Sequence, residues 1–236
     1  MPRIGGKKLY YLLSKDFERL AFKLGRNKFF EVLQQERLLV RPRKRGYKTT
    51  DSGHQHRVYP NLVQNCRLYR PFQVLVADIT YVRLEEGFCF LSLVTDLFSR
   101  AIIGWFLSRT LDAGGPIAAL KAARLVVGAA VQGCIHHSDQ GVQYCSADYV
   151  RLLFRFKMKI SMTHTGSPGE NAVAERVNGI LKTELLLDGT FRGFADALPA
   201  TREAISIYNH ERPHYSLDLA TPAKFLAVHR RKTSRR

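Results

Sequence analysis

The fold is decided by a short stretch in the middle of the chain, Gly133-Cys134-Ile135-His136-His137-Ser138-Asp139-Gln140-Gly141. It predicts a strand over Gly133–His137 that ends in a glycine-containing turn bearing Asp139. Farther along, Ala172–Leu187 has helical periodicity and carries Glu175. A third carboxylate, Asp78, interrupts the aliphatic run Val74–Val82. Because a carboxylate is rarely placed inside a buried strand without a partner, these three acids are predicted to converge on one site.

Short apolar runs bounded by turns predict the other strands of the sheet. Three of them, Val74–Val82, Phe88–Val94 and Ala101–Ser108, follow one another through short connections, which are typical of antiparallel neighbours. A helix from about Asp112, with Pro116 in its first turn, then leads into the central strand, which we expect to run parallel to the first. The remaining predicted elements are a helix from Ser146 to about Phe156, a strand over Lys159–Thr163, a helix near Asp196–Asn209 and a terminal helix from Thr221-Pro222. The pattern therefore predicts an α/β fold with a five-stranded mixed sheet and flanking helices.

Charge is concentrated at the two ends of the chain. The net charge is +17 over 236 residues, and residues 1–70 carry 17 Lys and Arg against 5 Asp and Glu. Residues 229–236 add five cations and no acid, whereas residues 71–228 carry 15 charges of each sign. This distribution favours basic ends that bind a polyanion such as nucleic acid around a neutral catalytic body. The alternative is that the basic ends only keep the protein in solution.

The basic N-terminal region has a helical pattern from Ile4 to about Val40, interrupted at Gly25-Arg26-Asn27. Short helices separated by such a turn indicate a possible helix-turn-helix, in which Asn27 and Lys28 would approach DNA. The run that follows contains Arg43, Lys44 and Arg45, which we expect to follow the DNA backbone. The predicted organisation is a basic helical, DNA-binding region at 1–45, a linker at 46–70, a catalytic core at 71–190, and C-terminal helices with a basic tail at 191–236.

Several other classes of protein are disfavoured. The four cysteines form no CxxC pair, so neither a disulfide framework nor a cysteine-rich zinc site is predicted. The longest uninterrupted apolar run, Leu125–Val131, is too short to span a bilayer. We therefore expect a cytoplasmic protein without a membrane partner.

Three carboxylates from separate elements suit divalent metal, because hard cations such as Mg²⁺ take oxygen ligands and keep several waters. Two such ions, about 3.5–4 Å apart, stabilise the entering and leaving oxygens when a phosphodiester is cut or transferred. Asp78, Asp139 and Glu175 are thus predicted to hold two Mg²⁺ ions, which Mn²⁺ could replace. Lys182 and Asn178 share the helix face of Glu175 and are predicted to contact DNA.

Five motifs in order carry a resemblance to a known family: Asp78-Ile79-Thr80-Tyr81, His137-Ser138-Asp139-Gln140-Gly141 with Gln143-Tyr144, the helix entry from Gly169 to Lys182, Tyr208-Asn209 with Arg212-Pro213-His214, and Thr221-Pro222. They resemble the retroviral-integrase-like transposases of bacterial insertion sequences, and most closely the second-reading-frame (OrfB) product of the insertion-sequence-three family. The resemblance covers about residues 70–226. Leu75 and Glu170 depart from it, because the family pattern has tryptophan and aspartate there.

The resemblance implies a ribonuclease-H-like fold and a DDE-type polynucleotidyl transferase whose acidic triad corresponds to Asp78, Asp139 and Glu175, with Lys182 as its basic residue. It also implies Mg²⁺-dependent cleavage at the element ends and strand transfer by the freed 3′-hydroxyl. The expected partners are double-stranded DNA, further copies of the chain, and a first-reading-frame (OrfA) protein, as a separate chain or as a fusion. Such a protein is expected to be associated with the bacterial nucleoid. Two alternatives stay open: an inactivated or regulatory DNA-binding derivative, and a nuclease that only hydrolyses.

Overall fold

The computed structural model of the chain describes residue 1 and residues 3–40, 56–164 and 169–233. The chain separates into two compact units, Met1–Lys48 and Thr49–Arg236. The predicted DNA-contacting residues Arg43, Lys44 and Arg45 lie outside the described residues, as does most of the loop between Thr163 and Gly169. The finer division of the chain into four regions stays a prediction.

The first unit contains two described helices, α1 (Gly6–Arg19) and α2 (Arg26–Gln35). Aromatic side chains hold them together: the ring of Phe29 on α2 lies 5.3 Å from that of Tyr10 and 6.1 Å from that of Phe17, between centroids. The Tyr10 hydroxyl also donates to the carbonyl of Leu24 in the connection, at 2.9 Å. The structure thus has two helices that share a small aromatic core. The break between them covers residues 20–25, before most of the predicted Gly25-Arg26-Asn27, because Arg26 and Asn27 belong to the first turn of α2.

The second unit is built on one mixed sheet. Its strands are β1 (Val74–Leu84), β2 (Gly87–Asp96), β3 (Ile102–Ser108), β4 (Ile135–Ser138), β5 (Lys159–Met162) and the two-residue β6 (Thr190–Phe191). The order is β3-β2-β1-β4-β5, with β1–β2 and β2–β3 antiparallel and β1–β4 and β4–β5 parallel. This confirms the five predicted strands and the directions predicted for β1 to β4. Sequence reasoning missed β6, which pairs with the end of β1 and is too short to show a period.

The helices of this unit are α3 (Gly114–Val127), α4 (Val142–Cys145), α5 (Ala147–Arg155), α6 (Ala172–Thr183), α7 (Phe194–His210) and α8 (Pro222–Thr233), with 3₁₀ turns at Gly128–Val131 and Tyr215–Leu217. Helix α6 ends four residues before the predicted Leu187. Leu186 has a φ of 64°, a left-handed conformation that ends a helix, and the turn lets Leu187 pack in the core. The short helix α4 was not predicted.

Strand β1 is buried on both faces, which explains its nearly continuous apolar sequence. Leu75 and Ala77 face a core formed with α3 and α5. Val74 and Val76 face the opposite side, where Ala174 of α6 covers them together with residues from the 61–68 segment. Because side chains alternate along a strand, Asp78 belongs to the face that α6 covers.

Helix α3 approaches β3 closely at Gly104. A Cβ placed there would lie 2.3 Å from the carbonyl oxygen of Ala119, so only glycine allows this contact. By length and composition alone, the segment Gly114–Val131 could cross a membrane. Its buried residues, among them Ala119 and Leu120, instead pack in the core over the sheet.

The C-terminal motif fastens α7 to the sheet. The side chain of Asn209 accepts from the N–H of Ile102 at 3.0 Å and donates to its C=O at 2.9 Å, so it satisfies backbone groups of β3 at the edge of the main sheet. Arg212 is buried and makes a bidentate pair with Glu184 just after α6, at 2.7 and 2.8 Å. Breaking such a buried pair typically costs about 3–5 kcal/mol.

Candidate active site

The register of β1 against β4 brings two of the predicted acids together. Val76 is the partner of His137 in this parallel pair, and Asp78 and Asp139 each lie two residues farther along. Neighbouring strands are about 4.8 Å apart, so the two carboxylates leave the sheet side by side. Both are half-buried.

A tight turn holds Asp139 after β4 ends. One of its carboxylate oxygens accepts from the backbone N–H of Gly141 at 3.0 Å. A Cβ at residue 141 would lie 3.0 Å from that oxygen and 3.2 Å from the amide oxygen of Gln143. Gln140 braces the turn by donating to the carbonyl of Thr163 at 2.7 Å. The side chains of Asp139 and Gln140 thus fix the turn, and a side chain at residue 141 would crowd Asp139 and Gln143.

Helix α6 presents a polar stripe to these acids. Glu175, Asn178 and Lys182 are spaced three and four residues apart, which places them on one face. Asn178 is buried, and its amide donates to the Oδ2 atom of Asp78 at 2.7 Å. Asn171, which precedes α6, donates to the carbonyl of Ala77 at 3.1 Å. Two side-chain amides thus fasten α6 to β1 at and beside Asp78.

Burial raises the pKa of Asp78 to about 7, with the negative charges of Asp139 and, more weakly, Glu175 acting in the same direction. Hydrogen bonds from the Ile79 N–H and from Asn178 oppose this rise in the pKa. Burial lowers the pKa of Lys182, and attraction to Asp78 partly offsets that effect. The site therefore contains three acids and one cation in a single electrostatic field.

The residues present have the chemistry of a divalent-metal site, because all three acids offer hard oxygen donors. Burial and, after it, the charges of the neighbouring acids raise the pKa of Asp78, and a cation between the acids would favour its charged form. Within the parts of the chain that the structure describes, however, no group of three or more His, Cys, Asp or Glu side chains lies close enough together to hold a metal ion. The charges of the three acids therefore act on one another, but their side chains do not form a closed coordination shell.

The other predicted site residues have different surroundings. Asn178, predicted to contact DNA, makes its contact with Asp78 inside the protein. Lys182 is half-buried near the same acid. Asn27 and Lys28 are exposed in the first turn of α2, where Lys28 pairs with Glu31 at 2.9 Å.

Sequence reasoning also missed a clamp at Glu170, one of the positions that depart from the family pattern. Its carboxylate accepts from the backbone N–H of His164 at 2.6 Å and from the side-chain amide of Asn61 at 2.9 Å. These bonds lower the pKa of Glu170 to about 2, with the backbone of His164 as the largest cause. Its carbonyl lies 3.3 Å from Nε2 of the buried His137. Glu170 therefore joins the start of α6 to β4 and to the 61–64 segment.

Comparison with known proteins identifies the family of the chain. Two family models described as integrase core domains match residues 69–168 and 156–222. The 31 kDa protein of insertion element IS600 from Shigella sonnei, itself uncharacterized, is 34% identical over 208 residues, which cover 86% of this chain and 75% of that protein. The chain belongs to the insertion-sequence transposases with an integrase core.

Other members of this family agree over shorter stretches. The transposase InsF for insertion sequence IS3A of Escherichia coli (strain K12) is 40% identical over 116 residues, 49% of this chain and 40% of that protein. The chain spans about half the length of most of the curated relatives it matches.

The solved structures confirm the fold. The catalytic core of the HTLV-2 integrase, solved in complex with magnesium, superposes with a TM-score of 0.54 at 20% identity, covering 67% of this chain and 99% of that one. The predicted ribonuclease-H-like sheet and the integrase-like core are therefore confirmed.

Proposed function

We propose that the chain is the catalytic subunit of a DNA transposase, which cleaves the ends of an insertion sequence and joins the freed 3′-hydroxyl to another phosphodiester. The observation that carries the proposal is the register of β1 against β4, which sets Asp78 beside Asp139 under the helix that bears Glu175. Burial raises the pKa of Asp78 to about 7, and the charges of Asp139 and, more weakly, Glu175 add to the rise. A carboxylate kept among like charges is unfavourable in the free protein and suited to a bound cation.

Asp78, Asp139 and Glu175 are the residues we propose to hold two Mg²⁺ ions, with Mn²⁺ as a substitute. When bound, such ions supply positive charge to the attacking and leaving oxygens of the phosphodiester. Asn178 orients the carboxylate of Asp78 through its hydrogen bond. Lys182, two turns beyond Glu175 on the same stripe, is the cation proposed to bind a neighbouring phosphate.

The proposed partners are double-stranded DNA, further copies of the chain, and a first-reading-frame (OrfA) protein acting beside it or fused to it. The excess of cations in residues 1–70 supports DNA binding by the N-terminal unit, for which Asn27, Lys28, Arg43, Lys44 and Arg45 are the proposed contacts. A cytoplasmic, nucleoid-associated location completes the proposal.

A strand-transfer assay on labelled duplexes with the native element ends tests the activity, with Mg²⁺ or Mn²⁺ present. We expect joined products from the chain and none from Glu175→Gln. The matched control is Glu203→Gln, which removes an equal charge from an exposed position on α7 and should leave joining unchanged.

The other outcomes are also informative. Nicking without joining would replace the transposase with a nuclease that only hydrolyses. DNA binding without any cleavage would indicate a regulatory or inactivated derivative. Full joining by Glu175→Gln would remove the acidic triad from the mechanism.

A further inference from the structure

The segment 61–68, which precedes β1, packs on the face of the sheet that α6 covers. Its apolar side chains lie against a buried cluster that contains Val76 of β1 and Ala174 of α6. Val76 and Asp78 share a face of β1, because side chains alternate along a strand, and Ala174 directly precedes Glu175. The segment therefore packs with the two elements that carry Asp78 and Glu175. The apolar side chains concerned are those of Val63, Cys66 and Leu68.

Asn61 connects this segment to the residues just before α6. Its side-chain oxygen accepts from the N–H of Val63 at 2.9 Å and from that of Gln64 at 3.2 Å, which fixes the orientation of the amide. Its side-chain nitrogen donates to Oε2 of Glu170 at 2.9 Å. A carboxylate only accepts hydrogen bonds, so the amide presents the correct atom to it. Asn61 thus joins the segment to residue 170, two positions before the first residue of α6.

His137 makes a second connection to the same residue, from β4. Its Nδ1 atom lies 2.9 Å from Oγ of Ser161 on β5, and its Nε2 atom lies 3.3 Å from the carbonyl oxygen of Glu170. A carbonyl only accepts, so Nε2 carries the hydrogen and donates it. The Ser161 oxygen accepts from the N–H of Leu62 at 2.8 Å, which leaves the serine proton for Nδ1. Burial lowers the pKa of His137, in agreement with a neutral ring that bonds at both nitrogens.

These contacts converge on the start of α6. Asn171 donates from its side chain to the carbonyl of Ala77 at 3.1 Å, and its own carbonyl accepts from the N–H of Glu175 at 3.1 Å. Glu175 therefore lies in a first helical turn that is fastened to β1, to β4 and to the segment before β1. His137 is two residues before Asp139, so it links the elements that bear Asp139 and Glu175.

We propose that Asn61 and His137 are positioning residues for the active site: through Glu170 they hold the start of α6, and with it Glu175, in place relative to Asp139. The inference rests on the proposed function, because it concerns acids that are proposed to hold metal ions together. A displacement of about 1 Å at a reacting group can reduce a rate about 100-fold, so hydrogen bonds outside the site can control its activity. A merely structural role would lower stability and leave the folded chain fully active.

The first test exchanges the two ends of the hydrogen bond between Asn61 and Glu170. Asn61→Asp keeps the oxygen that the turn needs but sets a carboxylate against that of Glu170, so we expect joining at saturating DNA to slow about ten- to a hundredfold. The affinity for an element-end duplex should stay within about twofold, because no group that binds DNA is removed. Adding Glu170→Gln restores a donor opposite an acceptor and should return the rate to within about threefold of that of the unsubstituted chain.

A matched pair of variants tests the link from His137. His137→Gln can keep an amide N–H near the position of Nε2, whereas the shorter side chain in His137→Asn cannot reach the carbonyl of Glu170. We expect His137→Asn to slow joining about 100-fold and His137→Gln about tenfold or less. Thr201→Ala, which loses one buried hydrogen bond within α7, should lower the unfolding midpoint and leave joining unchanged. Asn61 is only half-buried, so its variants decide the question if the buried His137 pair does not fold.

Binding of Mn²⁺ without DNA gives a measurement that does not depend on turnover. Mn²⁺ should raise the thermal unfolding midpoint of the unsubstituted chain. Asn61→Asp and His137→Asn should need about tenfold more Mn²⁺ for the same rise, the effect typical of losing a group that orients a metal ligand. The double variant Asn61→Asp/Glu170→Gln should respond as the unsubstituted chain does. A double variant no better than Asn61→Asp in both assays would overturn the positioning role.

The two proposals can fail separately. If the chain joins DNA and Glu175→Gln does not, but Asn61→Asp and His137→Asn join as fast as the unsubstituted chain, the transposase stands and the positioning role falls. If no DNA is joined under any condition, while Glu170→Gln restores the Mn²⁺ response that Asn61→Asp loses, the positioning role stands and the proposed activity falls. A chain that neither joins DNA nor responds to Mn²⁺ would overturn both.

Discussion

Asp78 and Asp96 lie on neighbouring strands of the same sheet, yet their carboxylates have opposite surroundings. Asp96 is fully buried at the end of β2, and one oxygen accepts from the N–H of Phe72 at 2.8 Å. The other oxygen accepts from both the N–H and the hydroxyl of Ser99. Within the described parts of the chain, Asp78 accepts hydrogen bonds from the Ile79 N–H and the Asn178 amide, and it faces the charges of Asp139 and Glu175.

Burial raises the pKa of both acids, but the neighbouring groups then act differently. The hydrogen bonds to Asp96 lower its pKa and hold a turn, whereas the acids around Asp78 raise its pKa further. Groups of the protein therefore satisfy the carboxylate of Asp96, whereas the carboxylate of Asp78 is expected to bind a partner from outside the protein. Substitutions at the two positions should therefore fail in different ways.

The largest effect is expected for Asp78→Asn, which should reduce end cleavage and joining to background. Because the pKa of Asp78 rises from 3.8 to about 7 on folding, its charge lowers stability above pH 3.8, and the variant should be as stable as the unsubstituted chain or more so at pH 8. Joining assays and urea unfolding in EDTA measure the two effects. If the inactive Asp78→Asn variant is also unfolded, the proposed difference between Asp78 and Asp96 is wrong.

Asp96→Asn should instead destabilise the second unit by about 3 kcal/mol, because hydrogen bonds to a charged acceptor are lost and an amide N–H₂ then faces N–H donors. Urea unfolding of the full chain gives the loss. Asp148→Asn, which breaks only a surface pair with Arg151, is the matched control and should change stability by about 0.5 kcal/mol or less. Equal losses in the two variants would show that Asp96 holds no turn.

The hydrogen bond from Asn178 to Asp78 allows a test for a bound metal ion. Asn178→Asp would replace the amide that donates to Asp78 by a further carboxyl group, so we expect a loss of about 2 kcal/mol without divalent metal. Mg²⁺ or Mn²⁺ should restore most of that stability, as read from thermal unfolding with and without the ion. Asn178→Ala loses the same hydrogen bond without adding charge, and metal should not restore its stability selectively. No difference in metal response between the two variants would remove the cation from between these acids.

Local sequence patterns predict part of this site. Alternation along β1 and the turn after β4 indicate Asp78 and Asp139, and helical spacing relates Glu175 to Lys182, because each of these relations lies within one element or its immediate neighbour. Asn171 and Asn209 reach residues 94 and 107 positions away, and no local period reports such contacts. The donors of Asp96 come from Ser99 nearby and from Phe72, 24 positions away. Sequence therefore indicates where an acid lies more readily than which groups satisfy it.

Glu170 provides the smallest and most direct test of this distinction. Its carboxylate is satisfied by protein donors, and its pKa falls from 4.5 to about 2, opposite in direction to that of Asp78. A pKa lowered on folding contributes stability above pH 4.5 that is lost as the pH falls toward 2. Glu170→Gln should thus lose about 1 kcal/mol at neutral pH, discounted because the side chain is 19% exposed, and the difference should vanish near pH 2.

Unfolding free energies measured from pH 2 to 8 in EDTA, with Glu203→Gln as an exposed control, compare the two acids directly. Relative to the unsubstituted chain, Glu170→Gln should become less stable as the pH rises from 2 to 4.5, because the charged form of Glu170 is the stabilising one. Asp78→Asn should become more stable as the pH rises from 3.8 to 7, because there the charged form is the destabilising one. If both stability differences change in the same direction with pH, the two carboxylates differ only in how deeply they are buried. The proposal that Asp78, unlike Glu170, binds a partner from outside the protein would then be wrong.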